Sequence, residues 1–328
     1  MPLEGLIFGV HIPPEGRNFE EMKGLCLSME KLGFDLFTMT DHFMNMSIGR
    51  GISVAPDAVK HPLECWSTLA GLAAVTSKIR LGPLVSCYYF RLPTVLAKMA
   101  TTIDIISNGR LLFGIGAGWH QKEFEGFAGR FPSLKERMTG LEEAVQICRS
   151  MFTHELTSFK GKIYRFENVL NSPLPVQRPP SIMVGGGGEK RTLRIAAKYA
   201  DISHFAGIPN EEVLDQKLSA LKRHCEAVKR DYDEIKKGIS LTPIVGYTER
   251  EVESKIKQLA ERSGTTLEEY QKRIGPVKGT PEQCIQALRN YIDKGVSLFT
   301  LTGLVAPEDP NLFAEEVMRK LIILSAIQ

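Results

Sequence analysis

Residues 81–123 read LGPLVSCYYFRLPTVLAKMATTIDIISNGRLLFGIGAGWHQKE, and the order of elements in this stretch decides the fold. Residues 81–87 form a short apolar run bounded by Arg80 and by Tyr88, Tyr89 and Phe90, as expected of a strand buried on both faces. Arg91, Leu92 and Pro93 break the run. From Thr94 onward Val95, Met99, Thr102, Ile103 and Ile106 recur at helical spacing, and Gly109 stands where a left-handed cap closes a helix. A second buried strand over 111–115 follows. Two apolar strands joined by an amphipathic helix are parallel, because only a crossover connection returns the chain in the same direction.

The same alternation extends outward. Upstream, a strand over 6–11, a helix over 19–32 ended by Gly33, a strand over 34–40 and a helix over 63–77 are expected. Downstream, Ser133 and Glu136 have capping-box spacing, and Leu134, Met138, Leu141, Val145, Cys148 and Phe152 continue as one helical stripe. Residues 153–180 break the rhythm with a hairpin around 159–164 and four prolines, which predicts an insertion packed on the mouth or rim of a barrel. Strands over 181–184, 202–205, 239–247 and 298–302 alternate with helices over 189–199, 211–230, 249–262, 267–274, from Thr280, and over 311–324. About eight strands, each followed by helix, point to a single (β/α)8 TIM barrel over residues 1–328. A doubly wound sheet is the alternative, and it lacks the early switch-point motif that such sheets carry.

Composition narrows the function. With 43% hydrophobic and 24% charged residues the chain has the balance of a globular enzyme, and a net charge of +3 without a basic block argues against nucleic acid. Six cysteines are scattered without metal-ligand spacing, so reduced thiols and no metal are expected. The apolar run before Pro13 and Pro14 is too short for a signal peptide or a membrane span, so the expected setting is cytoplasmic, away from membranes.

In such a barrel the site forms at the C-terminal ends of the strands. The polar and glycine residues expected there are His11, Asp41, His42, Ser86, Cys87, Gly116, Ala117, Gly118, Trp119, His120 and His204. The run Val184, Gly185, Gly186, Gly187, Gly188, then Arg191 and Thr192, has the character of an anion cradle: backbone N–H groups before a helix, with a cation and a hydroxyl beside them. Asp41 and His42 pair a carboxylate with a group that titrates near neutrality. His11 and His204 serve equally well as strand-end residues satisfying backbone, and Cys87 as pocket lining. Trp119, His120 and Glu123 supply either a stacking wall with an acid or base, or a packed rim. The glycines 114–118 mark either a tight turn or a close approach of backbone to a flat ligand.

Gly33-Phe34-Asp35, Thr40-Asp41-His42, Ile79-Arg80-Leu81-Gly82, Ser107-Asn108-Gly109-Arg110, Gly114 through Trp119, Glu136-Arg137-Met138, the 175–179 run PVQRP, Gly185 through Thr192, Ala200-Asp201 and Gly279-Thr280-Pro281-Glu282 occur in this order. Together they resemble the luciferase-like monooxygenase family, and within it the coenzyme F420-dependent oxidoreductases, over nearly the whole chain. The resemblance implies a homodimeric barrel holding a flavin or deazaflavin, with a non-prolyl cis peptide between Leu84 and Val85 behind the ring. It implies Asp41 and His42 near the ring and the ribityl hydroxyls, and a tail-phosphate site at Gly185 to Gly188, Arg191 and Thr192. Some relatives carry a catalytic glutamate where this chain has Trp119, and many have Asn where it has His120. The expected activity is hydride transfer between F420 and a small organic substrate, with His42 or His120 moving the proton. An FMN-using monooxygenase and a non-catalytic flavin-binding protein are the competing readings.

Overall fold

Strands apolar on both faces need helices outside them and one another inside, and a computed structural model, which describes residues 5–46, 60–205, 210–304 and 309–327, shows that arrangement. The strands are β1 (Ile7–His11), β2 (Leu36–Met39), β3 (Arg80–Pro83), β4 (Ser86–Cys87), β5 (Leu112–Gly116), β6 (Leu156–Lys160), β7 (Arg165–Leu170), β8 (Ser181–Gly185), β9 (Ile202–Phe205), β10 (Lys236–Leu241), β11 (Ile244–Val245), β12 (Lys278–Gly279) and β13 (Val296–Leu301). The main sheet runs β3-β2-β1-β13-β10-β9-β8-β5-β4, with every neighbour parallel. Its two ends are halves of one strand, parted at the cis peptide Leu84–Val85, and a bridge from Leu81 to Leu111 joins β3 to the start of β5. The sheet therefore returns on itself as an eight-stranded α/β barrel of the TIM type, and the doubly wound alternative falls. The expected cis bond lies at the predicted position.

Ile7, Leu36, Leu112, Met183, Ile202 and Leu298 form one buried layer inside the barrel, and the half-buried Leu84 and Val85 pack on it. Several of the motif residues quoted above work at the opposite, N-terminal end of the strands. Asp35 accepts the Phe8 N–H at 2.8 Å and Asp201 accepts the Ile182 N–H at 2.8 Å, one carboxylate for each half of the barrel. Arg110 donates to the carbonyls of Ala73, Thr76, Ile79 and Ser107. Gln177 binds Asp104 and the Leu111 carbonyl. These groups satisfy buried backbone polar atoms, which is a stability role.

Three expectations need correction. The strand expected over 239–247 is β10, which starts at Lys236 and stops at Leu241. Pro243 has no N–H to donate, and Ile244–Val245 pairs instead with Lys278–Gly279 in a separate small sheet. The helix Pro93–Ile106 buries Leu96, Ala97, Ala100 and Ile103, whereas Val95 and Ile106 from the predicted stripe are 49% and 44% exposed. That helix is apolar nearly all round, so its spacing alone selects no face. A helix at Gln121–Ala128 was not expected; it is short and carries an unusual histidine N-cap, His120, whose Nδ1 accepts the Glu123 N–H at 3.2 Å. The insertion is the antiparallel hairpin β6–β7, held against the helix Leu134–Thr153 by Glu143, which accepts the N–H groups of Lys162, Ile163 and Tyr164.

Candidate active site at the barrel mouth

His42 follows β2, and Glu123 lies on the first turn of Gln121–Ala128. The Glu123 Oε2 sits 2.9 Å from His42 Nδ1, and its Oε1 accepts the N–H groups of Phe43 at 2.6 Å and Met44 at 3.1 Å. Burial pushes this carboxyl up. The His42 hydrogen bond and charge, with the two backbone donors, outweigh burial and hold it below the ordinary glutamate value. An ionised Glu123 accepts only, so Nδ1 of His42 carries a proton and Nε2 is the nitrogen presented outward. Trp119, 44% exposed, meets His42 edge-on with ring centroids 5.5 Å apart. His120 lies 6.0 Å from His42 and is 1% exposed. Its Nδ1 is spent on the helix cap, so Nε2 carries the hydrogen, and this buried donor has no hydrogen-bond partner among the described residues. The four catalytic candidates His42, Trp119, His120 and Glu123 thus stand together.

Asp41 is engaged differently from the expectation. Arg91 grips it through two hydrogen bonds at 2.7 and 3.0 Å, and Ser86 Oγ donates a short one. Trp66 Nε1 donates to Ser86 at 3.0 Å, and Arg91 also pairs with Glu64 and lies 5.3 Å from the Phe43 ring. Asp41 and Ser86 thus bind β4 to the end of β2, beside His42. Arg91 was read in the sequence only as part of a break, and its role is visible only through Asp41, 50 residues away.

Two further histidines line the strand ends. Thr38 Oγ1 donates to the Val10 carbonyl and so accepts from His11 Nδ1 at 3.0 Å, leaving His11 Nε2 as an acceptor. Burial, then the charge of His42, lowers His11 to about 4. His204 Nε2 donates to Thr300 at 2.9 Å, and burial, then His11, lowers it to about 3. Both rings are neutral. The Cys87 thiol is pushed up to about 12, chiefly by burial, and is no nucleophile near neutrality.

The glycines around the Leu84–Val85 step are bare for steric reasons. A Cβ on Gly116 or on Gly185 would come within 2.7 Å of the Val85 methyls, and one on Gly118, at φ +71°, would meet Cys87 and Phe124. Ala117 between them is half-buried, and Arg137 donates to the Gly118 carbonyl. Val184 is buried in β8. Gly186 adopts φ +125° and donates its N–H to His204 O at 2.9 Å; Gly187 and Gly188 continue the turn, and a Cβ on Gly188 would meet Thr192 Oγ1. The helix begins at Thr192, not at the expected residue 189, and Arg191 is drawn to Lys135 O at 3.2 Å and Thr139 Oγ1 at 3.0 Å. The turn expected to act as a cradle is thus made of glycine backbone and Thr192, with Arg191 beside it.

One group was missed altogether. Glu15, in the loop after β1, has both carboxyl oxygens buried with no partner from another described residue, its own backbone N–H being the hydrogen-bonding group beside it, and it lies within electrostatic reach of His42 and Glu123. No periodicity or motif marks such a loop residue. The loop expected over 44–61 to shape a substrate pocket lies outside the described residues between 47 and 59.

A family model described as luciferase-like monooxygenase matches residues 7–298. The chain is 31% identical over 199 residues to the pyrimidine monooxygenase RutA of Allorhizobium ampelinum, covering 60% of this chain and 52% of that protein. It thus spans about half the length of the curated relatives it matches. The coenzyme F420 dependent tetrahydromethanopterin reductase from Methanopyrus kandleri superposes with a TM-score of 0.77 at 17% identity, covering 97% of this chain and 100% of that one. Monooxygenase RslO1 from Streptomyces bottropensis gives 0.76 at 23% identity, covering 96% and 99%. These structural likenesses speak to the fold.

Proposed function

Because the chain belongs to the luciferase-like monooxygenase family, we propose that it is an oxidoreductase that binds coenzyme F420 at the barrel mouth and acts on a small organic substrate. The observation that carries this reading is the half-buried Leu84–Val85 step, flanked by Gly116 and Gly185, with the cradle Gly186 to Gly188 opening beyond it. The residues suit such a group: an apolar step for a flat ring, the N–H groups of Gly187 and Gly188 and the Thr192 hydroxyl for a phosphate, and a buried donor at His120 Nε2 that has no partner among the described residues. Once bound, the coenzyme supplies the hydride transfer itself. Val85 and Leu84 would back such a ring, Trp119 would close one side, and His42, oriented by Glu123, would accept or donate a proton at Nε2. Asp41 and Ser86 support the site through their grip on β4.

FMN is the second reading, favoured by the likeness to RutA monooxygenases. Titrating the purified protein with F420 and with FMN, followed by fluorescence, separates them: tighter F420 binding is expected, and binding of FMN alone would replace F420 in the proposal. A cytoplasmic setting belongs to the same reading and rests on six free, buried thiols. Among the described residues no helix is long and apolar enough to cross a membrane.

A homodimer is also part of the proposal. Leu92 (56% exposed), Val95 and Ile106 leave an apolar stripe on the outer side of Pro93–Ile106. Sedimentation is expected to give a dimer at micromolar concentration and a folded monomer for Val95→Glu. A monomeric native chain would refute it.

A further inference from the structure

We propose that the sector of barrel wall formed by β1, β13 and β10 is the substrate-binding face of this site, and that it takes molecules presenting an N–H or O–H group, which His11 Nε2, Ser240 Oγ and Thr242 Oγ1 accept. The inference rests on the functional reading above and adds to it a substrate class: hydrogen-bond donors, as against hydrocarbons and carboxylates.

Strand alternation gathers these residues. Ile7, Ile202 and Leu298 belong to the buried layer inside the barrel, so His11, His204 and Thr300, an even number of residues further along the same strands, also point inside. Gly238 and Ser240 stand in register with Leu298 and Thr300 and share that face. Around the sheet β1, β13, β10 and β9 are consecutive, and they carry His11, Thr300, Ser240 and His204. Across the mouth, β8 and β5 carry Gly185, Gly114 and Gly116 beside the Leu84–Val85 step. One sector is bare and suits a flat ring; the other is lined with hydroxyls and imidazoles.

The direction of each hydrogen bond decides what the polar sector offers. A backbone carbonyl only accepts, so the Thr38 hydroxyl is committed to Val10 O at 3.1 Å, Thr300 to Ile239 O at 3.2 Å and Thr302 to Leu241 O at 3.3 Å. A hydroxyl has one hydrogen, so each of these oxygens accepts from its next neighbour. Thr38 accepts from His11 Nδ1 at 3.0 Å, Thr300 from Ser240 at 3.0 Å and His204 Nε2 at 2.9 Å, and Thr302 from Thr242 at 2.6 Å. These donors are all turned to the wall, which leaves lone pairs on His11 Nε2, Ser240 Oγ and Thr242 Oγ1. His11 and Ser240 are half-buried and Thr242 is exposed, so the three residues are open to the mouth. The Thr40 hydroxyl, just past β2, is buried and opens no donor there. Burial lowers His11 to about 4 and His204 to about 3, so neither ring gains a second N–H near neutrality. A carboxylate brings only further lone pairs and a hydrocarbon leaves these unsatisfied, whereas an N–H or O–H completes them.

The test uses the whole ligand-free chain and two probes of nearly one shape, phenol and fluorobenzene, of which only phenol has an O–H. Nitrogen NMR spectra of histidine-labelled protein near neutrality are expected to show His11 protonated at Nδ1 alone. Phenol at millimolar concentration is expected to shift the Nε2 resonance and to bind about tenfold more tightly than fluorobenzene. A proton on Nε2, equal responses to the two probes, or no response to phenol overturns the proposal. Thr38→Val removes the acceptor of Nδ1 and is expected to let the proton move to Nε2 and abolish the phenol response; a response kept with the proton on Nε2 refutes it too. Saturation with whichever of F420 or FMN binds is expected to leave the phenol response in place, and its loss would give these lone pairs to the coenzyme instead of a substrate. If neither coenzyme binds, the functional reading falls and the phenol outcomes stand.

Discussion

Glu123→Ala is expected to lower stability by about 3 kcal/mol and turnover by about 10²-fold or more. The carboxylate accepts from the Phe43 and Met44 N–H groups and faces His42 Nδ1. Truncation leaves two backbone donors unpaired beside a half-buried ring that is free to rotate. Glu123→Gln separates the two effects. Its carbonyl oxygen can still serve Phe43 and Met44, so folding is largely kept, but its NH2 faces His42 Nδ1 and favours the other tautomer, so activity is lost. Denaturant unfolding and steady-state turnover of the two variants check this. Equal activity of Glu123→Gln and the native chain would remove the pair from the mechanism. The pH dependence has a definite sign. The folded value of Glu123 lies below the ordinary 4.5, so its stabilising contribution is present above the unfolded value and is lost as pH falls through the folded one. The native margin over Glu123→Gln is therefore full at neutrality and disappears in acid.

Gly114→Ala is expected to cost about 3 kcal/mol or more and to yield mostly insoluble protein. A Cβ on Gly114 would fall on the Pro83 carbonyl oxygen, and one on Gly82 on that of Leu112. Both obstacles are strand backbone, and both lie where β3 meets β5 to close the barrel. Neither strand can retreat without opening the ladder. Gly126 is the control: it lies inside Gln121–Ala128 with nothing within 4 Å of its would-be Cβ, so Gly126→Ala should stabilise by about 0.5–1 kcal/mol. Melting temperatures that fall equally in both variants would show that helix and strand propensity, and not the closing contact, governs Gly114.

The same glycines show where reading a sequence stops. Gly114, Gly116 and Gly118 look like one motif, and a flat ligand or a tight turn explains them equally well from the chain alone. In the folded protein each has its own neighbour: the Pro83 backbone, the Val85 methyls, and the pair Cys87 and Phe124 with a left-handed φ. Local signals carried further. The Ser133–Glu136 capping box holds because its partners are three residues apart, with Ser133 N donating to Glu136 at 2.9 Å. The Thr280 N–H likewise reaches Gln283 at 2.8 Å. The strand ends were legible because a barrel places its chemistry there, which brought out Asp41, His42 and His204 before any coordinates.

By itself, then, the sequence determined the alternation of strand and helix, the parallel barrel and the polar residues at the strand ends, which follow from periodicity, caps and turns acting over a few residues; the cis step at Leu84–Val85 was expected only from the resemblance to the family. Tertiary structure alone decided which groups are occupied and which are free. His42 and Glu123 lie 81 residues apart, and Asp41 and Arg91 lie 50 apart. Hydrogen-bond satisfaction across such separations depends on how the strands are brought together, and no spacing along the chain encodes it.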